Sequence, residues 1–211
     1  MYATHQTAIS NYARECPDHL ARVMRFVILS IREPLFNIPA DMEIVGTQSE
    51  GIEKVLWGIK GKAIAAIDAD KQYTYDYLEY VYRLHLSDIE KSELMLCYLA
   101  TMPGFGLPKA GFVIQLAYGL CGCMDTHNLK RYGLGARTFQ GWKTLRTAKY
   151  RFRRVQLYVK TCYELGGPEE LWNSWCEYVA PRTSIKTGPV LTYRDAEHVS
   201  AMHCEALELE G

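Results

Sequence analysis

The sequence predicts an all-α protein from the spacing of its apolar residues and the placement of its helix breakers. Several stretches repeat apolar residues at intervals of three and four, and no stretch alternates as a half-buried strand does. Proline and glycine bound these stretches, as at Pro34 and at Gly166-Gly167. With 211 residues and 48% hydrophobic side chains, the chain can bury a core and fits one large domain or two lobes sharing a cleft.

Helical periodicity and local end signals divide the chain into elements. Pro34 and Pro39 end the first helix in a loop, and Gly166 ends the long basic helix. The tyrosines of the third helix are interpreted as packing groups. The predicted helices span 18–32, 49–69, 73–86, 87 to the turn at 103, that turn to 119, a short helix from 125, 138–165, one from 168, and one from 192 or 195 to 207.

A tight turn joins the two central helices. Ser87 and Glu90 form a capping box that begins the first of them. Pro103-Gly-Phe-Gly106 cannot continue a helix, because proline lacks an N–H and the glycines adopt positive φ at no steric cost. Such a turn presents backbone N–H groups as a small nest suited to a phosphate. After the second helix, Asp125 opens another within Met-Asp-Thr-His-Asn.

This arrangement resembles the helix-hairpin-helix (HhH-GPD) DNA glycosylase superfamily. The family hairpin reads roughly Leu-Pro-Gly-x-Gly, and its catalytic aspartate, often in Asp-Thr-His, follows at about the distance of Asp125. The resemblance covers about residues 87–134 and implies a two-lobed helical fold with a helix-hairpin-helix DNA-binding element. It implies a single unit over 1–211, with approximate lobes at 1–40 plus 138–211 and at 41–137, the latter containing the hairpin at 87–119.

The resemblance implies that Asp125 is the catalytic carboxylate. It would act on a nucleotide flipped from the duplex, stabilising cationic charge on the sugar or activating water. Bifunctional members carry a nucleophilic lysine where this chain has Pro108. Lys109 lies one position on, about 100° around a helix, and we expect it to face phosphates or solvent. The chain is therefore predicted to be monofunctional, without lyase activity. An N-cap role for Asp125 stays open.

The net charge is zero, but the basic residues are concentrated in one part of the chain. Between residues 126 and 163 there are ten basic and no acidic residues, whereas the last fifteen residues carry four glutamates. A basic stretch next to the hairpin suits a DNA-binding face. The predicted DNA-contacting residues are Gly104, Phe105, Gly106, Lys109, Asn128, Lys130, Arg131, Arg151 and Arg154.

The cysteines do not predict a metal centre or a cofactor. They are seven in number, an odd count scattered among apolar neighbours, and are interpreted as reduced core residues. Cys162, Cys176 and Cys204 are too dispersed for the iron–sulfur cluster of some glycosylases. No metal-ligating side chains are predicted, and a K⁺ site on main-chain oxygens of the hairpin stays open. The sequence has no apolar run long enough to span a membrane and no signal-peptide pattern, so we expect a soluble cytoplasmic protein without a membrane partner.

The chain also resembles uncharacterised bacteriophage proteins with Pro-Gly-x-Gly-Leu-x-Lys-Ala-Gly-Phe followed by Asp-Thr-His-Asn. Three functions stay open. The first is a monofunctional glycosylase or related base-acting enzyme. The second is a non-catalytic DNA-binding or virion-associated protein with phage virion partners. The third is a glycosylase-derived transferase that acts on modified bases. A phage-encoded protein would lie in the host cytoplasm or in the virion.

Overall fold

The computed structural model describes residues 2–33, 37–135 and 137–174, and within these ranges every regular element is a helix. This confirms the predicted all-α class. The elements are α1 (Tyr2–Glu15), α2 (Pro17–Leu29), α3 (Ile38–Thr47), α4 (Ile52–Val55), α5 (Lys60–Arg83), α6 (Asp88–Leu99), α7 (Leu107–Tyr118), α8 (Thr126–Arg131), a 3₁₀ turn (Trp142–Thr144), α9 (Ala148–Glu164) and α10 (Gly167–Ser174).

Helix α7 lies at the centre of the molecule. Nine of its twelve residues are buried, and it packs against α1, α2 and α6. A helix that is apolar on nearly every side belongs in a core. Helix α2 packs in turn against α1 and α5, while α9 covers α6. The hairpin leads directly into this most buried helix, and Asp125 follows the helix in the chain.

A buried ion pair connects α1 with α5. Arg14 Nε lies 2.8 Å from Glu79 Oε1, and the Glu79 side chain is only 7% exposed. The guanidinium also lies 3.9 Å from the centre of the Tyr82 ring, and the Tyr75 hydroxyl donates to the Arg14 carbonyl over 2.7 Å. Since removing one partner would leave a buried charge, this cluster holds the two helices together.

The structure corrects the prediction for residues 49–86. In place of two helices, a single turn, α4, is followed by one helix of 24 residues, α5. Gly58 adopts φ +61 and ends the first segment, whereas nothing between 69 and 73 interrupts the second. Tyr73 and Tyr80 are each 63% exposed, so the predicted packing face is exposed at both positions.

Two further boundaries differ from the prediction. The long basic helix does not begin at Thr138: Gly141 adopts φ +72, and α9 begins only after Thr147, whose hydroxyl accepts from Tyr150 N–H. Helices α1 and α3 were not predicted, and α3 begins at Ile38 because Pro39 fits the first turn of a helix. The helix predicted to end at 207 lies outside the described residues. So do Trp175 and Cys176, which the sequence places in the helix from 168.

The structure confirms the two helices joined by a tight turn that the sequence predicts over 87–118. Ser87 Oγ accepts from Glu90 N–H while the Glu90 carboxylate accepts from Ser87 N–H, which completes the predicted capping box. The turn from α6 into α7 contains Gly104 at φ +77. A Cβ on Gly104 would stand 2.6 Å from the Ala63 Cβ, so the turn packs closely against α5.

We predict that Gly104→Ala destabilises the protein more than Gly133→Ala. Both glycines have positive φ, which costs an L-residue about 1–2 kcal/mol. Only Gly104 also lacks space, because nothing lies within 4 Å of a Cβ on Gly133. Overpacking adds about 1–3 kcal/mol. Urea unfolding of both variants measures the difference, and equal losses would contradict the close packing of the turn.

Candidate active site and nucleic-acid interface

Asp125 stands at the N-terminus of α8, as the sequence predicts, and it caps that helix, a role that the sequence left open. Its Oδ1 accepts hydrogen bonds of 2.9 Å from the backbone N–H groups of both His127 and Asn128. The residue is half-buried, with extended backbone at φ −74 and ψ 178. One carboxylate oxygen is therefore held by the helix, which fixes the direction of the group.

The loop before Asp125 is held by the hydroxyl of Tyr158 on α9. This hydroxyl donates to the Gly122 carbonyl over 2.7 Å and accepts from Met124 N–H over 2.9 Å. Tyr158 is completely buried. Gly111 on α7 is required beside it, because a Cβ there would lie 2.4 Å from the Gly122 oxygen and 2.6 Å from the Tyr158 hydroxyl.

Two buried amide side chains complete the support of this loop. Gln115 Oε1 accepts from Cys123 N–H over 3.2 Å, and its Nε2 donates to the Pro168 carbonyl over 2.7 Å. Asn128 Nδ2 donates to the Cys123 carbonyl over 2.7 Å. Asn128 is only 1% exposed. The structure thus corrects its predicted role: the side chain braces the loop inside the protein, where it cannot reach DNA.

The side chain of Lys109 turns towards α2, which corrects the expectation that it faces phosphates or solvent. It is half-buried, and its Nζ donates to Ser30 Oγ at the end of α2 over 2.8 Å. Burial lowers the pKa of the Lys109 ammonium, and the neighbouring Cys123 and Asp125 partly offset that shift. The lysine and the aspartate therefore act on each other electrostatically, and Lys109 belongs to the same site as Asp125.

A row of aromatic rings lies next to Lys109. Its Nζ is 5.9 Å from the centre of the Phe112 ring, which lies 6.4 Å from Phe26 and 6.2 Å from Trp172. All three rings are half-buried. They come from α2, α7 and α10, so no local pattern in the sequence brings them together; only Phe112 lies inside a motif that the sequence singles out. A row of this kind offers flat apolar surface to a planar ligand.

A second lysine, Lys60, lies near Lys109. It is 1% exposed, and its Nζ donates to the Leu29 carbonyl over 2.8 Å. Burial lowers the pKa of Lys60; Glu33 and Asp41 counteract the shift, and the like charge of Lys109 adds to it. Both ammonium groups thus stand at the C-terminal end of α2, where unpaired carbonyls attract cations.

At the hairpin, part of the predicted nest is already used. Phe105 N–H donates to the Met102 carbonyl over 3.3 Å, and the Phe105 side chain is 1% exposed. The Lys143 ammonium binds the carbonyls of Thr101, at 3.3 Å, and of Met102. A cation of the protein itself therefore occupies main-chain oxygens at the turn. In the first turn of α7, Leu107 is completely buried and Pro108 has no N–H, which leaves the N–H group of Lys109.

The predicted basic face divides into two sets of side chains. Arg151 Nε donates to the Leu145 carbonyl over 3.2 Å, and Arg154 donates to the Thr138 carbonyl. These guanidinium groups, together with Lys143, fasten the 138–147 segment to α9 and to the hairpin. The remaining basic side chains of this stretch are all exposed: Lys130, Arg131, Arg137, Arg146, Lys149, Arg153 and Lys160.

The cysteines of the described ranges are reduced, as predicted. Cys121 and Cys162 are buried with their sulfur atoms 3.8 Å apart, and burial raises the pKa of the Cys162 and Cys123 thiols. Those ranges contain no cluster of three or more histidine, cysteine or acidic residues that could hold a metal ion. They also contain no helix with the length and apolar character needed to cross a bilayer.

Comparison with known proteins leaves this site to be argued from its own chemistry. No family model, curated protein or solved structure matches the chain. What the structure brings together is a capped carboxylate, a half-buried lysine, a row of aromatic rings and a nearby helix with exposed basic side chains.

We predict that Tyr158→Phe costs about 1–3 kcal/mol of unfolding free energy, because the Gly122 carbonyl and Met124 N–H lose a buried partner. Tyr150→Phe on the same helix is the matched control, since Tyr150 is 57% exposed. The midpoint of urea unfolding at unchanged slope measures both variants. Equal stability of the two would show that the hydroxyl does not hold the loop.

Proposed function

We propose that the protein binds DNA and acts on a base flipped out of the DNA duplex, as a monofunctional glycosylase does, with Asp125 as the catalytic carboxylate. The observation that carries this proposal is that Asp125, fixed at a helix N-terminus, lies within electrostatic range of Lys109, whose Nζ stands 5.9 Å from the centre of the Phe112 ring. A half-buried lysine, a carboxylate and a row of aromatic rings are more than a helix cap requires.

The chemistry assigned to Asp125 is electrostatic. Cleavage of an N-glycosidic bond develops positive charge on the sugar, which a fixed carboxylate stabilises without reorganising. The N–H groups of His127 and Asn128 fix the carboxylate through Oδ1. Oδ2 is thus the oxygen assigned to the sugar or to an attacking water. A base in the site would stack against Phe112 or its neighbours, since aromatic stacking accepts any base.

The DNA backbone is assigned to the exposed cations. Lys130 and Arg131 stand in the last turn of α8, which Asp125 begins, and Lys149 and Arg153 lie on the outer face of α9. The first turn of α7 supplies the N–H group of Lys109 at the hairpin. Arg151 and Arg154 leave the proposed DNA-contacting set, because the backbone carbonyls of the protein already bind their guanidinium groups.

We predict salt-dependent DNA binding that is weakened by the double change Lys149→Glu and Arg153→Glu. If five or six phosphates are contacted, affinity falls on the order of a hundredfold or more between 50 and 200 mM salt. The double variant lowers the salt slope by about 2 and weakens all duplex sequences alike, because phosphate contacts carry no base information. Fluorescence anisotropy with labelled duplexes measures both effects.

Lys54→Glu is the control for that experiment. Lys54 is exposed on α4, which packs against α3, and its reversal changes net charge without touching α9. If Lys54→Glu weakens binding as much per charge as the double variant, the attraction is a general effect of net charge and the α9 face is not the interface.

We predict that Asp125→Asn lowers turnover by about a hundredfold to a thousandfold while DNA affinity stays within about twofold. Asparagine also caps helices well, so stability is preserved while the negative charge is lost. The assay incubates duplexes that carry single modified bases and measures released or exchanged base by mass spectrometry. Asp88→Asn, in the first turn of α6, is the control. Full turnover in Asp125→Asn would reduce Asp125 to a helix cap.

The inward position of Lys109 favours a second candidate function, a glycosylase that also forms a covalent intermediate. In that reaction the Lys109 amine attacks the sugar carbon as the base leaves with the bonding electrons and takes up the amine proton. The sugar ring then opens as the bond from this carbon to the ring oxygen breaks, the oxygen takes up the remaining proton of the amine, and the resulting imine can be reduced by borohydride. A lowered amine pKa increases the fraction of the neutral nucleophile. This candidate retains Asp125 and replaces only the attacking water.

Borohydride trapping distinguishes the two candidates. If Lys109 is the nucleophile, we expect a covalent protein–DNA adduct that Lys109→Met abolishes and Lys130→Met retains, since Lys130 is exposed on the neighbouring helix. Denaturing gel electrophoresis detects the adduct. Base release without any adduct would support the monofunctional enzyme and assign Lys109 to electrostatic support of the site.

A further inference from the structure

The outer face of α9 combines exposed cations with exposed apolar side chains. Lys149, Arg153 and Lys160 recur at spacings of four and seven, so they form one row along the helix. Phe152 is 41% and Leu157 49% exposed, and these residues flank the row on opposite sides. Phosphates would need only the cations, so the apolar side chains indicate a partner with apolar groups of its own.

The chain contains a segment of complementary character beyond the described residues. Residues 195–211 carry no lysine or arginine, and their acidic residues are Asp195, Glu197, Glu205, Glu208 and Glu210. Apolar residues recur among them at intervals of three and four: Val199, Met202, Ala206 and Leu209. This is the spacing of one apolar helix face, bordered here by acidic residues.

The distance to α9 is short. The described chain ends at Ser174 on α10, and α10 packs directly against α9. Twenty residues, 175–194, separate that point from the acidic segment. They can span up to about 65 Å, whereas α9, with 17 residues, is only about 25 Å long.

We infer that residues 195–211 bind the outer face of α9 and thereby compete with DNA for it. The acidic side chains pair with Lys149 and Arg153, and with Lys160 in competition with its ion pair to Glu164, while the apolar residues cover Phe152 and Leu157. The competition rests on the proposed DNA binding, whereas the intramolecular contact does not. The acidic segment binds the α9 face weakly, so only a stronger polyanion such as a DNA duplex would displace it. This competition limits non-specific binding.

Site-specific crosslinking in the full chain tests the contact directly. With p-benzoylphenylalanine at Phe152, irradiation at low salt is expected to give crosslinks within one molecule to residues 195–211, identified by peptide mass spectrometry. The same probe at Tyr80, exposed on α5, is the control and is expected to give none. Absence of the crosslink at Phe152, or crosslinks only between two molecules, overturns the inference.

A second measurement tests the competition. The full chain with Glu205→Gln, Glu208→Gln and Glu210→Gln is expected to lose the Phe152 crosslink and to bind duplex DNA about tenfold more tightly at 50 mM salt. Lost crosslinks with unchanged affinity would overturn the competition while retaining the contact. A protein that crosslinks as expected but binds no DNA in either form contradicts the proposed function and leaves the contact standing.

Discussion

The hydroxyl of Tyr158 is buried beneath the loop that carries Asp125, and the position of that loop depends on it. The hydroxyl satisfies both the Gly122 carbonyl and Met124 N–H, and only glycine at position 111 allows it to approach. Buried polar groups are costly when unpaired, so this arrangement has one stable form. It lets α7 and α9 fix the direction of a carboxylate that stands outside both helices.

Electrostatics gives the same region a second distinctive property. Lys60 and Lys109 place two ammonium groups at the C-terminal end of α2, each bonded to a neutral oxygen. The helix end tolerates them because its terminal carbonyls carry partial negative charge. Their burial keeps the field strong at short range, since little water screens it. A half-buried carboxylate and aromatic rings beside such a field suit a planar ligand that carries both charge and apolar surface.

The basic residues of 126–163 show why a count of charges does not define an interface. Arg151 and Arg154 use their guanidinium groups to hold backbone carbonyls of the preceding segment, and Lys143 holds those of the hairpin. In these three residues the charge stabilises the irregular chain between α8 and α9. The exposed members, such as Lys149 and Arg153, remain available to a partner, so one stretch of sequence serves both structure and surface.

The sequence alone determined the helical class, the capping box at Ser87, the turn at Pro103–Gly106 and the position of Asp125 at a helix N-terminus, because each depends on residues within a few positions of one another. It could not place Lys109, Asn128 or the Phe26–Phe112–Trp172 row, whose partners come from distant helices. The predicted helix end near residue 69 was wrong, because nothing there interrupts α5. The predicted helix start at 138 was wrong, because the chain turns at Gly141 and α9 begins only after Thr147. Only tertiary packing decided which polar side chains turn inward, because a side chain's direction depends on the space and partners that other helices provide.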